Sequence, residues 1–245
     1  MLPITLVFHA EKLHDERVWR RVESVARWLA VQGHQATFFV YPFRAQVAGQ
    51  DITDRVQTLA TLGHEIGQHT HFYAGTKIDT PEKVNDLRAA NVVQCLHRDY
   101  ETLRCMGYTP QAFTAGAWLV DETVLDTLVA LGFIYDCSAR FPKPQGMTSV
   151  PHHRWLVSPQ LYSNAQGCLL CLPTTCSLGE WWKWGRSMQQ AKDHISYQIV
   201  YTHDYDLLSL HTYVLLWSFL LMTHRRRLVS ASPLVKKLWE DKVHD

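Results

Sequence analysis

Ile4-Thr-Leu-Val-Phe-His9, then Val18, Val22, Val25, Ala26 and Leu29 at helical spacing, Gly33, and Ala36-Thr-Phe-Phe-Val-Tyr41 form the stretch that decides the fold class. A β-rich run, a helix-period segment closed by a glycine where a C-cap belongs, and a second β-rich run make one strand–helix–strand unit. Joined that way, neighbouring strands run parallel through right-handed crossovers.

The unit repeats along the chain. Val56, Leu59 and Leu62 predict a helix ended by Gly63, and Glu65 to His71 a third extended segment. A long helix is expected from about Pro81, a favoured first helical residue, to Cys105. Gln111 to Thr114, a helix from Asp121 to Leu131, and Phe133 to Asp136 repeat the pattern. Phe141 to Pro159, with Pro142, Pro144 and Pro151, breaks the rhythm and reads as a long surface loop or lid near the site. Strands resume at Cys168 to Leu172 and at Tyr197 to Thr202, before a long apolar helix and a last short one. Seven or so strands fit a barrel better than an open doubly wound sheet, and ~250 residues is the usual size of one α/β barrel. No Pro/Gly/Ser-rich linker interrupts the chain, so a single domain over residues 1–245 is expected.

Composition narrows the partners. With 24 Lys+Arg against 23 Asp+Glu, bulk charge gives no hold on a polyanion, which excludes a nucleic-acid protein driven by net charge. Met1 runs straight into the first strand without a basic n-region or a cleavage site, and the chain is read as cytoplasmic. The six cysteines are then free thiols, and Cys168 and Cys171, three apart on a strand, point to opposite faces as core thiols rather than as a zinc pair. The apolar run Leu207 to Met222 contains His211 and falls short of the ~20 residues of a membrane span, so it reads as a packed helix. Arg225-Arg226-Arg227 after it suit a solvated helix end, with peripheral contact to an anionic membrane surface as the alternative.

Fourteen histidines are many for this length, and several sit at strand ends. His69 and His71 share one face of an extended segment and can reach one ion. By the same alternation Val7, His9 and Glu11 share a face of the first strand and emerge at its C-terminal end, where α/β sites are built. Together they offer imidazoles and a carboxylate able to hold a divalent ion with an open position.

Beyond that spacing, Ala36-Thr-Phe-Phe-Val40 with Gly63-His-Glu-Ile-Gly-Gln-His-Thr70 resembles the polysaccharide deacetylase (NodB-homology) family, as do three segments in family order. Gln111-Ala-Phe-Thr-Ala-Gly-Ala-Trp118 is similar to its F-R-x-G segment, Leu131-Gly-Phe-Ile-Tyr-Asp136-Cys-Ser138 to its L-G-Y-x-Y-D-S-S, and Leu170-Cys-Leu-Pro173 to its L-x-I-P strand. The likeness spans about residues 4 to 205 and implies an α/β fold, a distorted (β/α)7-type barrel. It also implies a metal-dependent hydrolase, with zinc as the expected divalent ion, that removes acetyl groups from a sugar or polysaccharide precursor. Glu11, His69 and His71 are the expected metal ligands, and His9 is a fourth ligand or the base. His203, followed by Asp204, stands where the family carries its late catalytic histidine, with Asp204 or Asp206 to support its charge.

The chain also departs from the family. Val7-Phe8-His9-Ala10-Glu11 replaces T-F-D-D, Tyr73 fills the position of the second motif's later histidine, and Thr114 that of the third motif's arginine. Glu11, one residue later, and His71, two earlier, look compensatory; a catalytically inactive barrel that binds a carbohydrate or a partner enzyme is the alternative. An amidohydrolase-like barrel would carry its H-x-H on the first strand, not the third. Asp15 is read as a helix N-cap rather than a base, His152 and His153 as solvated, and His64 as facing the opposite rim. Trp181, Trp182 and Trp184 suit either a sugar platform or a hydrophobic anchor.

Overall fold

The computed structural model describes residues 3–74, 85–142, 154–183, 196–223 and 228–243. Strand β1 (Ile4–Ala10) is buried along its whole length, as a strand covered on both faces must be. Its even residues, Leu6 and Phe8 among them, meet Val18, Val22, Val25 and Leu29 of α1 (Glu16–Val31), while Val7 points inward to Phe39, Tyr135 and Ile199. Asp15 caps α1, its Oδ1 accepting the Arg17 and Val18 N–H groups at 2.8 and 3.4 Å, so it serves the helix and not the chemistry.

After α1 come β2 (Thr37–Val40), α2 (Pro42–Val47), α3 (Thr53–Thr61), β3 (Glu65–Thr70), α4 (Ala89–Cys105), β4 (Ala112–Ala115), α5 (Glu122–Ala130) and β5 (Tyr135–Arg140). β6 (Gln160–Asn164), β7 (Gly167–Thr174), β8 (Cys176–Ser177) and β9 (Gln198–His203) complete the sheet, and helices Leu210–Thr223 and Ala231–Val243 end the chain. The order is β6-β7-β5-β4-β3-β2-β1-β9-β8, parallel throughout except for the β6–β7 hairpin. Closure happens at one residue. β7 pairs with β5 up to Thr174, Thr175 donates its N–H to the Ile199 carbonyl at 3.0 Å, and β8 continues alongside β9. The run Gly167–Ser177 thus passes from one edge of the sheet to the other and joins its ends, with β6 as an added flap. Tight filling inside needs Gly67: a Cβ there would come within 2.6 Å of the Phe39 ring.

The N-terminal end of the barrel is plugged. Leu234 and Val235 of the last helix join Tyr135 and Tyr197 in the inner core. Below them Glu65 accepts hydrogen bonds from Tyr135 Oη (2.7 Å), Thr37 Oγ1 (2.8 Å), Ser232 N (3.2 Å) and Ser232 Oγ. His64 lies at this end too, donating Nε2–H to the Ala26 carbonyl and accepting the Ala36 N–H, in keeping with its exclusion from the site.

Other sequence expectations fare variously. Strand and helix positions agree to within a few residues, but α2 and β6 were not foreseen, and α4 starts at Ala89, with Pro81 outside the described residues. Of the proline-rich segment, residues 143–153, His152 and His153 included, also lie outside them; Leu156 is buried and ties its N–H to the Arg140 carbonyl at 3.0 Å. Trp181 packs on Phe219 (4.8 Å between ring centroids) and Trp182 donates Nε1–H to the Leu215 carbonyl at 3.3 Å, so both anchor to the apolar helix; Trp184 is not described. Cys171 is the buried core thiol expected, but Cys168 is exposed, because β7 becomes buried on both faces only from Leu169 onward. No helix among the described residues is long and apolar enough to cross a membrane.

Candidate active site

At the C-terminal end of the barrel, β1, β3, the turn after β4, and β9 surround a cleft of about 350 Å³ lined by His9, Glu11, His69, His71, Trp118 and His203, among others. Strand alternation brings His9 and His69 into the mouth. Glu11 reaches it from the residue just past β1, and His71 from the residue just past β3.

Three donor atoms converge. His69 Nε2 and His71 Nε2 are 3.1 Å apart, and Glu11 Oε1 lies 3.5 Å from the first and 3.4 Å from the second. Zn–N and Zn–O bonds of ~2.0–2.1 Å in a tetrahedron put ligand atoms about 3.3 Å apart, so the set fits a zinc-sized ion. The tautomer fits as well: His69 Nδ1 is 2.9 Å from the Thr114 carbonyl, which only accepts, so the proton sits on Nδ1 and Nε2 presents its lone pair. Glu11, His69 and His71, the residues expected as metal ligands, thus form a group that could hold an ion.

Two residues that the sequence reading passed over hold it in place. Arg44 of α2 lies with Nη1 3.4 Å from Glu11 Oε2, both side chains nearly buried. Gly116 makes room for the His71 ring, since a Cβ there would fall 2.3 Å from its atoms. A backbone signal accompanies them: Ala117 and Trp118 adopt φ of 54° and 60°, a left-handed conformation costly for residues with a Cβ and concentrated at functional sites. Behind this turn, Ser138 Oγ accepts the Ala115 N–H at 2.7 Å and itself donates to Asp136 Oδ1, so the Asp136-Cys-Ser138 motif fixes the turn that carries Gly116.

His9 stands apart from the ligands. Its ring stacks on His69 (5.0 Å, 29°) and Tyr201 (5.2 Å, 19°), and it is not one of the converging donors. Burial, reinforced by the neighbouring His69 and His203, drives its pKa well below the usual histidine value. His71 is also held down, to about 4, by burial first. Burial alone would raise Glu11, but hydrogen bonds and charge from His69 and His71 prevail and hold it far below the ordinary carboxylate range.

His203 shows the opposite balance. Burial lowers its pKa, yet the hydrogen bond to Asp206 and the charges of Glu11, Asp206 and Asp204 raise it above its usual value. Its Nδ1–H donates to Asp206 Oδ2 at 3.1 Å, and Nε2 faces the mouth 3.8 Å from Glu11 Oε1. Asp204 does different work from the catalytic role expected of it. It is wholly buried and accepts the Lys12 N–H at 2.7 Å and the Tyr205 N–H at 2.8 Å, clamping the loop that follows Glu11. Burial, with the Glu11 charge adding to it, raises its carboxyl to about 7.

No protein-family model and no curated protein matches the sequence. Solved structures do resemble the fold. A Mycobacterium smegmatis protein described as a polysaccharide deacetylase superposes with a TM-score of 0.67 at 15% identity, over 98% of this chain and 92% of that one. A family 4 carbohydrate esterase from Streptomyces lividans, in complex with acetate, gives 0.51 at 13% identity over 91% and 90%. A mutant, with restored enzymatic activity, of a CE4 family pseudoenzyme from Bacillus anthracis gives 0.56 at 11% identity over 96% and 68%. The fold is therefore that of the polysaccharide deacetylase structures, consistent with a distorted (β/α)7 barrel. It is borne by a divergent sequence, and at these identities the superpositions speak for the fold alone.

Proposed function

We propose that the protein is a divalent-metal-dependent carbohydrate deacetylase, releasing acetate from an acetylated sugar or polysaccharide precursor in the cytoplasm. The convergence of Glu11, His69 and His71 donor atoms within 3.1 to 3.5 Å at the barrel mouth carries this reading. Two imidazoles and a carboxylate with an open position suit zinc, which when bound supplies Lewis acidity at the acetyl carbonyl and at water.

The chain's own groups divide the remaining work. His9, neutral and facing the cleft, accepts the proton that water gives up as its oxygen adds to the acetyl carbon. His203, oriented by Asp206, donates Nε2–H to the leaving nitrogen or oxygen as the C–N or C–O bond breaks. Trp118, Tyr73 and Tyr205 line the cleft and offer ring faces to a sugar. The six free cysteines suit the reducing compartment assigned here.

One observation favours the second reading, an inactive barrel that binds a carbohydrate. Among the described residues lining the cleft the only carboxylate is Glu11, which the first reading already uses as a ligand, whereas the related motif offers two aspartates. Metal analysis of the purified protein and acetate release from a panel of N- and O-acetylated sugars, with and without chelator, separate the two. Stoichiometric metal and chelator-sensitive release are expected, with His203→Asn lowering turnover by about 10²–10⁴ while metal stays bound. A metal-free protein that binds these sugars without releasing acetate would establish the second reading.

A further inference from the structure

Arg140 ends β5 at the mouth of the barrel, one indole away from His9. Its guanidinium carbon lies 5.4 Å from the ring centroids of both Trp118 and Trp155, and the Trp118 ring, which lines the cleft, lies 5.3 Å from that of His9. A guanidinium laid against aromatic faces keeps its N–H groups, which point along its edges, for a ligand that accepts in that plane. Arg140 is partly buried, yet among the described residues its side chain makes no ion pair and no hydrogen bond. Partial burial of an unpaired charge costs solvation energy that an incoming anion would offset.

The carboxylates around the mouth are already engaged. Glu11 is met by Arg44 and Asp206 by His203. Asp204 accepts the Lys12 and Tyr205 N–H groups, and Glu180, behind Tyr201, accepts the Ser177 N–H at 2.8 Å. Lys12 is the second cation left over: it lines the cleft, its Nζ stands 5.4 Å from the Tyr205 ring centroid, and it forms no ion pair among the described residues. After these pairings two positive side chains at the mouth remain for a ligand.

We propose that the cleft takes acetylated sugars that carry an anionic group, a phosphate or a carboxylate, and that Arg140 is the residue that selects for it. The acetyl group in this statement rests on the deacetylase reading above; the anion does not. The sugar ring lies against Trp118, its acidic group meets the guanidinium edge in the two-pronged geometry that suits both oxyanions, and Lys12 adds attraction at the approach.

Calorimetric titration of the full chain with N-acetylglucosamine 1-phosphate, N-acetylmuramic acid and N-acetylglucosamine tests this without turnover. At least one of the two acidic sugars is expected to bind about 10-fold more tightly than the neutral one, which also tells phosphate from carboxylate, and the gap should narrow in high salt. Arg140→Gln should remove the preference while leaving affinity for N-acetylglucosamine and the unfolding curve unchanged, and Lys12→Gln should reduce it by a smaller factor, about 2–3-fold. The proposal is overturned if N-acetylglucosamine binds as tightly as both acidic sugars, if none of the three binds, or if the preference survives in Arg140→Gln. Acetate release is read separately: a charge preference without release would sink the deacetylase reading alone, and release without a charge preference would sink this one alone.

Discussion

Glu11 and Glu65 sit at opposite ends of one barrel, and their surroundings differ in kind. Glu65 at the base is met by a phenol, two hydroxyls and a backbone N–H, all neutral donors. Glu11 at the mouth is met by Arg44 and by the converging Nε2 atoms of two imidazoles. The base is thus complete as a hydrogen-bond network and holds the fold together. The mouth concentrates ligands around a point, an arrangement suited to binding rather than to stability.

That contrast is broken most severely by one substitution at each end. His69→Ala is expected to abolish stoichiometric metal and lower acetate release at least ~10²-fold while unfolding stays cooperative, because a catalytic ion contributes little to a full core. Glu65→Ala should do the reverse, costing about 2–4 kcal/mol in urea unfolding through its stranded donors while metal stoichiometry survives. Full metal occupancy in the first variant, or loss of metal in the second, would erase the distinction between the ends.

Gly116→Ala gives a smaller and more selective effect. Its Cβ must displace the His71 ring, so metal affinity should fall about 10–100-fold with His69 untouched. Unaltered affinity by competition with a chromophoric chelator would remove His71 from the ligand set.

Asp136 should act on the pH dependence of stability. Burial, opposed in part by the Ser138 hydrogen bonds, raises its carboxyl to about 6 from an ordinary 3.8. The folded state therefore favours the protonated form. Its contribution is full below the ordinary value and is lost as pH rises through about 6, a swing of roughly 2–3 kcal/mol at ~1.4 kcal/mol per unit. Asp136→Asn should flatten the melting temperature between about pH 4 and pH 7 relative to wild type. An unchanged slope would assign the titration elsewhere.

Much of this was legible in the sequence because it is local. Strand alternation placed His9 and Glu11 on one face and His69 and His71 on another, and helix periodicity with terminal glycines marked α1, α3 and α5. The unread parts depend on distant partners. Six residues of α2 carry no period to detect, so Arg44 gave no signal. Gly116 matters only because another strand delivers the His71 ring beside it. Closure turns on Thr175, whose partner Ile199 is remote in the chain. Asp204 looked like support for His203, and only the fold shows it holding the Lys12 backbone instead.

The pairing of β1 with both β2 and β9 has a consequence for how the protein is made. β1 aligns His9 beside His203, yet the first three strands, with Glu11, His69 and His71, leave the ribosome well before β9. At ~5–20 residues per second the nascent chain spends roughly 7–25 s with Glu11, His69 and His71 made and His203 not yet synthesised. Through that interval the outer edge of β1 has no partner and is open to aggregation, the hazard of any unpaired strand. The arrival of β9 then covers that edge and delivers His203 to the cleft in the same step, so a chain that has completed the cleft has also closed its open strand edge.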